Sequence, residues 1–180
     1  MARKALTLAG VAFLFATGGV TSCRIFWDRT GWFALLPIPF AVIVILLVLR
    51  SLRALVLIPL YVLVWLFAYG TAVLVVPSEW NLYKWGFYPG PYAGGLVGGF
   101  GVWHAIGFVR PRLLPVNPLG ACLVGCIAAL PFGLWLTKSA SWSSTDFWIN
   151  FSFATWQACV GTYLYASCKK ASQQKPDAGE

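Results

Sequence analysis

The chain contains very little charge, and acidic residues are especially scarce. Only 10% of the 180 residues are charged, and Asp and Glu together number five. Soluble domains carry about 25% charged residues. No charged side chain lies between Arg53 and Glu79, and about 20 apolar residues suffice for a helix to cross a bilayer core. The composition excludes a soluble globular domain and predicts an all-α, polytopic integral membrane protein.

The sequence also lacks the patterns of phosphate-binding and metal-binding loops. The glycine-rich stretch PGPYAGGLVGGFGVWHAIGF, residues 89–108, contains neither GxGxxG nor GxxxxGK[ST], and it has no basic residue to neutralise a phosphate. The five cysteines include no CxxC pair. The net charge of +8 would suggest nucleic acid in a soluble protein, but no basic groove with interleaved aromatics is present. The sequence therefore predicts no cofactor and no nucleic-acid partner.

Six apolar segments, joined by short connections, are long enough to form membrane helices. They predict a bundle of six transmembrane helices in a single domain, residues 1–168, followed by a polar cytoplasmic tail, residues 169–180. The predicted spans are 5–23, 32–49, 54–76, 91–109, 117–136 and 148–167.

Lys and Arg are distributed unevenly between the two sides of this bundle. With the N-terminus in the cytoplasm, nine of the 13 lie on the inner side: Arg3, Lys4, Arg50, Arg53, Arg110, Arg112, Lys169, Lys170 and Lys175. The other four lie on the outer side: Arg24, Arg29, Lys84 and Lys138. Basic residues stay on the cytoplasmic side during insertion. The pattern predicts that both termini are cytoplasmic and that the protein lies in the cytoplasmic (inner) membrane of a bacterium, with the lipid bilayer as its surroundings.

The N-terminal stretch MARKALTLAGVAFLFATGGVTSC has two interpretations. Its basic start, apolar middle and small residues resemble a secretory signal, and Val20-Thr21-Ser22-Cys23 resembles a bacterial lipobox with Cys23 as the lipidated residue. However, leucine is the favoured first residue of that box, alanine or glycine usually precedes the cysteine, and Arg24 follows at once. The sequence favours an uncleaved first helix over lipidation at Cys23.

His104 is the only histidine, and it lies inside the predicted fourth span. Ionisable residues within membranes are candidate functional groups. Three cysteines share its predicted half of the bilayer, namely Cys122, Cys126 and Cys159, so a thiolate and imidazole metal site is one interpretation. The favoured alternative is structural, because neutral histidine is inexpensive to bury and cysteine acts as a small apolar residue in membranes.

Three acids fall one in each predicted outer connection: Asp28, Glu79 and Asp146. If they converge, they form an outward-facing carboxylate site that is capable of acid–base chemistry. The favoured alternative is that each carboxylate is a solvated partner of the basic residues nearby. A nucleophile–histidine arrangement is disfavoured, because no carboxylate lies within the spans to orient the single histidine.

Small residues recur every four positions in the fourth and fifth spans. The fourth has Gly90, Gly94 and Gly98 in one row and Gly95 and Gly99 in another, after a predicted turn at residues 89–91. The fifth has Ala121, Gly125, Ala129 and Gly133. Such rows let helix backbones approach closely in lipid. They predict either a hairpin of these two helices or contact with a second copy of the protein.

Three functions are compatible with this sequence. The first is a non-enzymatic scaffold, assembly or accessory subunit of a larger membrane complex or homo-oligomer, suggested by the glycine rows. The second is a small transporter or binder of an apolar or amphipathic molecule, suggested by intrahelical prolines and by the many aromatics of the outer connections. The third is a membrane enzyme that uses the outward-facing carboxylates, and it has the least support.

Overall fold

A computed structural model describes residues 2–27, 33–49, 52–75, 89–109, 111, 117–138 and 145–174. Within these ranges every regular element is helical, and no strand occurs. This confirms the predicted all-α class.

Seven α-helices account for most of the described residues, and short 3₁₀ or π-helical turns extend three of them. The first helix, α1, runs over Ala2–Ser22 and continues through a π-helical turn at Cys23–Trp27. A 3₁₀ turn at Phe33–Leu35 precedes α2, which spans Ile38–Val44 and continues as a π-helical turn at Ile45–Leu49. A second 3₁₀ turn at Leu52–Val56 leads into α3, Leu57–Leu74. The remaining helices are α4 at Pro89–Val109, α5 at Pro118–Ala128, α6 at Leu130–Lys138 and α7 at Thr145–Gln174.

The break between α5 and α6 follows from proline chemistry. Pro131 has no N–H to donate to the carbonyl four residues earlier, and its ring clashes with that carbonyl. The chain turns at Ala129, whose N–H bonds Cys126 O at 3.2 Å, and the helix resumes when Phe132 N–H bonds Ala129 O at 3.0 Å. The predicted fifth span is therefore one segment with a kink.

Helix boundaries differ from the prediction at several places, and two of them concern the predicted turn and the predicted tail. The predicted turn at residues 89–91 is wrong, because α4 already begins at Pro89. The N–H groups in the first turn of a helix have no partner within the helix. Pro89 and Pro91 have no N–H, so they fit in the first turn without losing a hydrogen bond. At the C-terminus, α7 continues to Gln174, well into the predicted tail. The Lys, Ala, Ser and Gln residues there tolerate helix, and Pro176 lies just beyond.

Among the described residues, three helical stretches are long and apolar enough to cross a membrane: Thr7–Phe26, Ala54–Leu74 and Pro89–Val109. Two shorter apolar helical stretches occupy Ile38–Leu49 and Pro118–Leu134. Helix α7 is long enough but is not among these candidates, because polar residues such as Ser152 and Gln157 interrupt its apolar sequence.

Neighbouring helices pack antiparallel, with the largest contacts between α1 and α7, α3 and α4, and α4 and α5. In the first pair Gly19 lies against the Ala154 backbone, and Phe15 lies against Gly161 further along. In the second pair Gly94 lies against Ala68 and Gly101 against Val64. Glycines thus mark the closest contacts.

Two hydrophobic clusters fill the interior. The larger one contains Phe15, Phe40, Leu57 and Ile106, all almost fully buried. The smaller one contains Cys23, Leu36, Ile149 and Phe153. Large apolar side chains also cover the outside, with Phe13 71%, Phe67 70% and Phe108 73% exposed. An apolar exterior on this scale fits contact with lipid rather than water.

Candidate ligand-binding cavity

The interface between α4 and α5 consists of backbone against backbone. A methyl group on Gly99 would overlap Ala121 O, one on Gly125 would overlap Gly95 O, and one on Gly95 would lie 2.9 Å from Ala129 Cβ. Only residues without a Cβ allow this approach, in which dispersion forces act over the whole length of the contact. The structure thus brings Gly95 and Gly99 together with the small residues of α5.

The second glycine row of α4 faces other helices. A methyl group on Gly94 would lie 2.8 Å from Ala68 O of α3, and one on Gly98 would lie 3.0 Å from Cζ2 of Trp156 in α7. Gly90 is buried, and Gly133 lies against the Tyr92 hydroxyl. Both rows therefore face helices of the same chain.

A cavity of about 250 Å³ lies beside this second row. Its wall includes Gly94, Gly98 and Val102 of α4 together with residues of α3 and α7. Pro37 and Phe40 on the α2 side and Phe132 of α6 complete it. Natural ligand pockets typically measure about 300–1,000 Å³, so this one suits a small molecule or part of a larger one.

Aromatic rings form much of the cavity wall: Phe40, Tyr61, Trp65, Tyr69, Phe132, Phe153 and Trp156. Their ring contacts form two groups, one of Phe40 with Tyr61 and Trp156, the other of Trp65 and Phe153 with Tyr69 and Phe132. The ring centroids of Trp65 and Phe153 are 5.2 Å apart, and those of Phe40 are 5.7 Å from Tyr61 and 5.8 Å from Trp156. These separations are typical of favourable ring pairs. The aromatic wall is therefore held in place by its own contacts.

Polar atoms in the wall are few and uncharged. Ser152 donates a 2.7 Å hydrogen bond to Trp148 O in its own helix. Gln157 is 3% exposed and Tyr61 is 1% exposed. Within the described part of the chain, neither Gln157 Oε1 nor the Tyr61 hydroxyl has a hydrogen-bond partner. A buried polar group without a partner costs about 1–3 kcal/mol. Both atoms are fully buried, and Gln157 Oε1 lies 3.3 Å from the position that a methyl group on Gly18 of α1 would take, so the surface of the cavity itself is almost entirely apolar.

The cavity reaches the surface of the bundle along α3. Tyr69 and Val73 line it, yet they are 45% and 53% exposed. An apolar molecule therefore has a route from the outside of the bundle, past these two residues of α3, into the cavity.

The histidine and cysteine candidates are not gathered at this cavity. His104 is exposed on α4, where its ring stacks on Phe100 with centroids 5.9 Å apart. Cys122 and Cys126 are half-buried on α5, and Cys159 is exposed on α7. Among the described residues, no group of three or more His, Cys, Asp or Glu side chains could hold a metal ion.

The remaining candidates are described only in part. Asp28 and Glu79 lie outside the described residues, and for Asp146 only the backbone in the first turn of α7 is described. Cys23 is buried at 3% exposure among Leu36, Ile149 and Phe153. The helix that precedes it is part of the core, since Phe15 is fully buried.

The cavity residues were missed by the sequence analysis, which considered ionisable side chains inside the spans but not neutral polar ones. Gln157 lies near the centre of the last predicted span. Polar residues within membrane segments usually face the bundle interior, so its position was an available signal. The aromatic wall offered no such signal, because apolar residues line every face of these helices.

Comparison with protein-family models, with curated proteins and with solved structures finds no match to this chain. The geometry of the cavity is therefore the main guide to function.

Proposed function

We propose that the chain crosses the cytoplasmic membrane of a bacterium six times with both termini inside. Three stretches have the length and apolarity of membrane helices. The others pack antiparallel with them, as α1 does with α7 and α4 does with α5. In α7, Ser152 and Gln157 are buried inside the bundle, which is where polar residues of membrane helices lie. Six spans also keep the basic pairs of the sequence on one side.

Reporter fusions test this topology. Green fluorescent protein fused after Glu180 is expected to fluoresce, and alkaline phosphatase at the same position is expected to be inactive, because the C-terminus stays in the cytoplasm. Phosphatase fused after Lys138 serves as the control and should be active. Phosphatase activity at the C-terminus would overturn the six-span arrangement.

Within this topology, we infer that the protein binds an apolar or amphipathic molecule inside its helix bundle. The observation that carries this proposal is the cavity of about 250 Å³, with its aromatic wall and almost entirely apolar surface. A void in a packed interior forfeits dispersion contacts along its lining. An apolar ligand would restore those contacts.

The scaffold hypothesis rested on glycine rows that were available to a partner, but both rows face helices of the same chain. One surface still favours a protein partner: an exposed strip of α4 that contains Phe100, His104 and Phe108. An imidazole that faces lipid gains a hydrogen bond if another helix covers it. This second function predicts that a cysteine introduced as His104→Cys forms a disulfide or a chemical cross-link with another polypeptide. The membrane-enzyme hypothesis rests on carboxylates outside the described residues and gains no support.

The binding proposal is tested with an apolar probe. The protein is reconstituted in lipid nanodiscs and equilibrated with 2-methylnaphthalene, and empty nanodiscs correct for partition into lipid. The protein is expected to retain the probe above this background with a stoichiometry near one. Ser152→Phe places a ring in the cavity and should abolish retention.

Ser172→Phe is the matched control, because Ser172 lies on the same helix, is exposed and does not line the cavity. It should retain the probe normally. A thermal melt followed by circular dichroism checks that both variants are folded. If the wild-type protein retains no more probe than empty nanodiscs, the binding proposal is wrong.

A further inference from the structure

The shape of the cavity and the position of its opening indicate what fills it, an inference that rests on the proposed binding function. We propose that the cavity holds one unbranched acyl chain of a phospholipid from the outer leaflet, while the headgroup of that lipid stays outside the protein. Three properties lead to this conclusion: the length of the cavity, the end at which it opens and the apolar surroundings of that opening.

The cavity is elongated along the helices that form its wall. Its lining follows α3 from Tyr61 to Val73, about 18 Å of helix, and α4 from Pro91 to Val102, about 17 Å. A rounded cavity with the same volume of about 250 Å³ would be only about 8 Å across. The space is therefore long and narrow, a shape that one extended chain fills and that a compact ring system leaves partly empty.

The cavity is closed at its deep end and open at the C-terminal end of α3. Among its lining residues on α3, Tyr61 and Ala68 are buried, whereas Tyr69 and Val73 are exposed. In the proposed topology this end of α3 lies at the outer face of the membrane. Half of a hydrocarbon core is about 15 Å thick. The cavity then runs from near the outer interface towards the middle of the bilayer, which is the path that a lipid chain itself follows.

The surroundings of the opening are apolar as well. Leu66 and Leu74, which lie beside Tyr69 and Val73 on α3, are exposed, so in the proposed membrane the opening faces hydrocarbon rather than water. Phospholipid chains outnumber every other apolar molecule there. A chain that enters from this layer restores the dispersion contacts that an empty void lacks.

The headgroup is excluded by the chemistry of the wall. None of the described residues that line the cavity carries a charge. A phosphate or an ammonium group inside would lose its hydration and gain no counter-charge. The cavity is therefore suited to the chain and not to the headgroup.

Photolabelling from defined positions of a lipid chain tests this inference. The protein is reconstituted in phosphatidylcholine nanodiscs that contain a small fraction of phosphatidylcholine with a diazirine on one acyl chain, either at its terminal carbon or near its carbonyl. After irradiation, mass spectrometry identifies the labelled residues. The terminal diazirine should label Val64 and Trp156, which line the deeper part of the cavity, and the diazirine near the carbonyl should label Tyr69 and Val73 at the opening.

Phe67 reports the surrounding lipid, because it is exposed on α3 and does not line the cavity. Ser152→Phe should lose the labelling of Val64 and Trp156 and keep that of Phe67, whereas Ser172→Phe should label as the wild type does. Excess 2-methylnaphthalene should also lower the labelling of Val64 and Trp156, because it competes for the same space.

Two results would overturn the acyl-chain inference: labelling of Phe67 without Val64 or Trp156 in the wild type, or equal labelling of Val64 and Trp156 in the wild type and in Ser152→Phe. The binding function stands in either case if the wild-type protein retains 2-methylnaphthalene above the background of empty nanodiscs. If the cavity residues are not labelled and 2-methylnaphthalene is not retained, both proposals are wrong.

Discussion

The two glycine rows of α4 lie side by side on one helix but have different surroundings. Gly99 is in contact with the backbone of α5 at Ala121, so no space remains between the helices. Gly98, one position earlier, faces the ring of Trp156 across the edge of the cavity. In the first case the missing side chain lets two backbones touch. In the second it leaves room for aromatic side chains and for a void.

This difference shows that small residues in a membrane helix have two separate uses. In lipid there is no hydrophobic force to drive helices together, so close packing depends on shape. Where the facing helix also has small residues, the interface closes. Where the facing helix presents large rings that cannot fill the space, a cavity remains. Substitutions in the two rows should therefore have different consequences.

The largest effect is expected for Gly99→Ala. The added methyl group overlaps Ala121 O, so α4 and α5 must separate along their whole contact, which should lower the free energy of unfolding by about 2–3 kcal/mol. Thermal unfolding in detergent, followed by circular dichroism, measures the change. An unchanged midpoint would mean that the α4–α5 contact is not backbone against backbone.

A gain of stability is expected for Gln157→Leu. Leucine has a similar volume and removes an amide oxygen that has no partner, so the empty protein should become more stable by about 1 kcal/mol. The same melt measures this change, with Gln173→Leu as the exposed control on α7. A loss of stability would mean that the Gln157 oxygen already has a partner, such as a bound water molecule.

A smaller loss is expected for Gly98→Ala. Its methyl group would lie 3.0 Å from Trp156 Cζ2, and the side chain can move a few tenths of an ångström into the cavity. The expected cost is under about 1 kcal/mol, but the cavity becomes smaller. Retention of 2-methylnaphthalene should therefore fall more clearly than the melting temperature does.

The smallest effect is expected for Gly70→Ala, the control for all glycine substitutions. No atom lies within 4 Å of the position its methyl group would take. Alanine is the better helix former by roughly 0.5–1 kcal/mol, so a slight rise of the melting temperature is expected. A loss comparable to that of Gly99→Ala would show that helix flexibility, rather than contact, explains the glycine effects.

The sequence was sufficient for the helical class and for the presence of long apolar helices, because long uncharged runs have few alternatives to membrane helix. It also indicated where α4 and α5 carry rows of glycine and alanine. It could not assign the two glycine rows to different neighbours, since that depends on the rotation of α4 about its axis. For the same reason it could not reveal a cavity, which arises from side chains far apart in sequence, such as Phe40 of α2 and Trp156 of α7.

Helix boundaries were predicted least well at prolines and polar residues, because both residue types occur inside helices as well as in turns and tails. Pro89 was interpreted as a turn residue, although a first helical turn accepts it, and Pro131 interrupts its segment. The extension of α7 to Gln174 was missed because its polar sequence resembles a tail, whereas its residue types tolerate helix.

In the proposed topology, helix α7 is longer than the bilayer core that it would cross. Its 30 residues give a rod of about 45 Å, longer than a hydrocarbon core of about 30 Å. Lys169 and Lys170 are exposed near its end, and in the proposed orientation each gains about 1 kcal/mol from anionic headgroups of the inner leaflet. Gln157 lies about 18 Å from Lys169 along the same helix, towards its N-terminus. In that orientation the two lysines would place the Gln157 side chain near the middle of the bilayer, where water is absent and a polar group depends on neighbouring helices for hydrogen bonds.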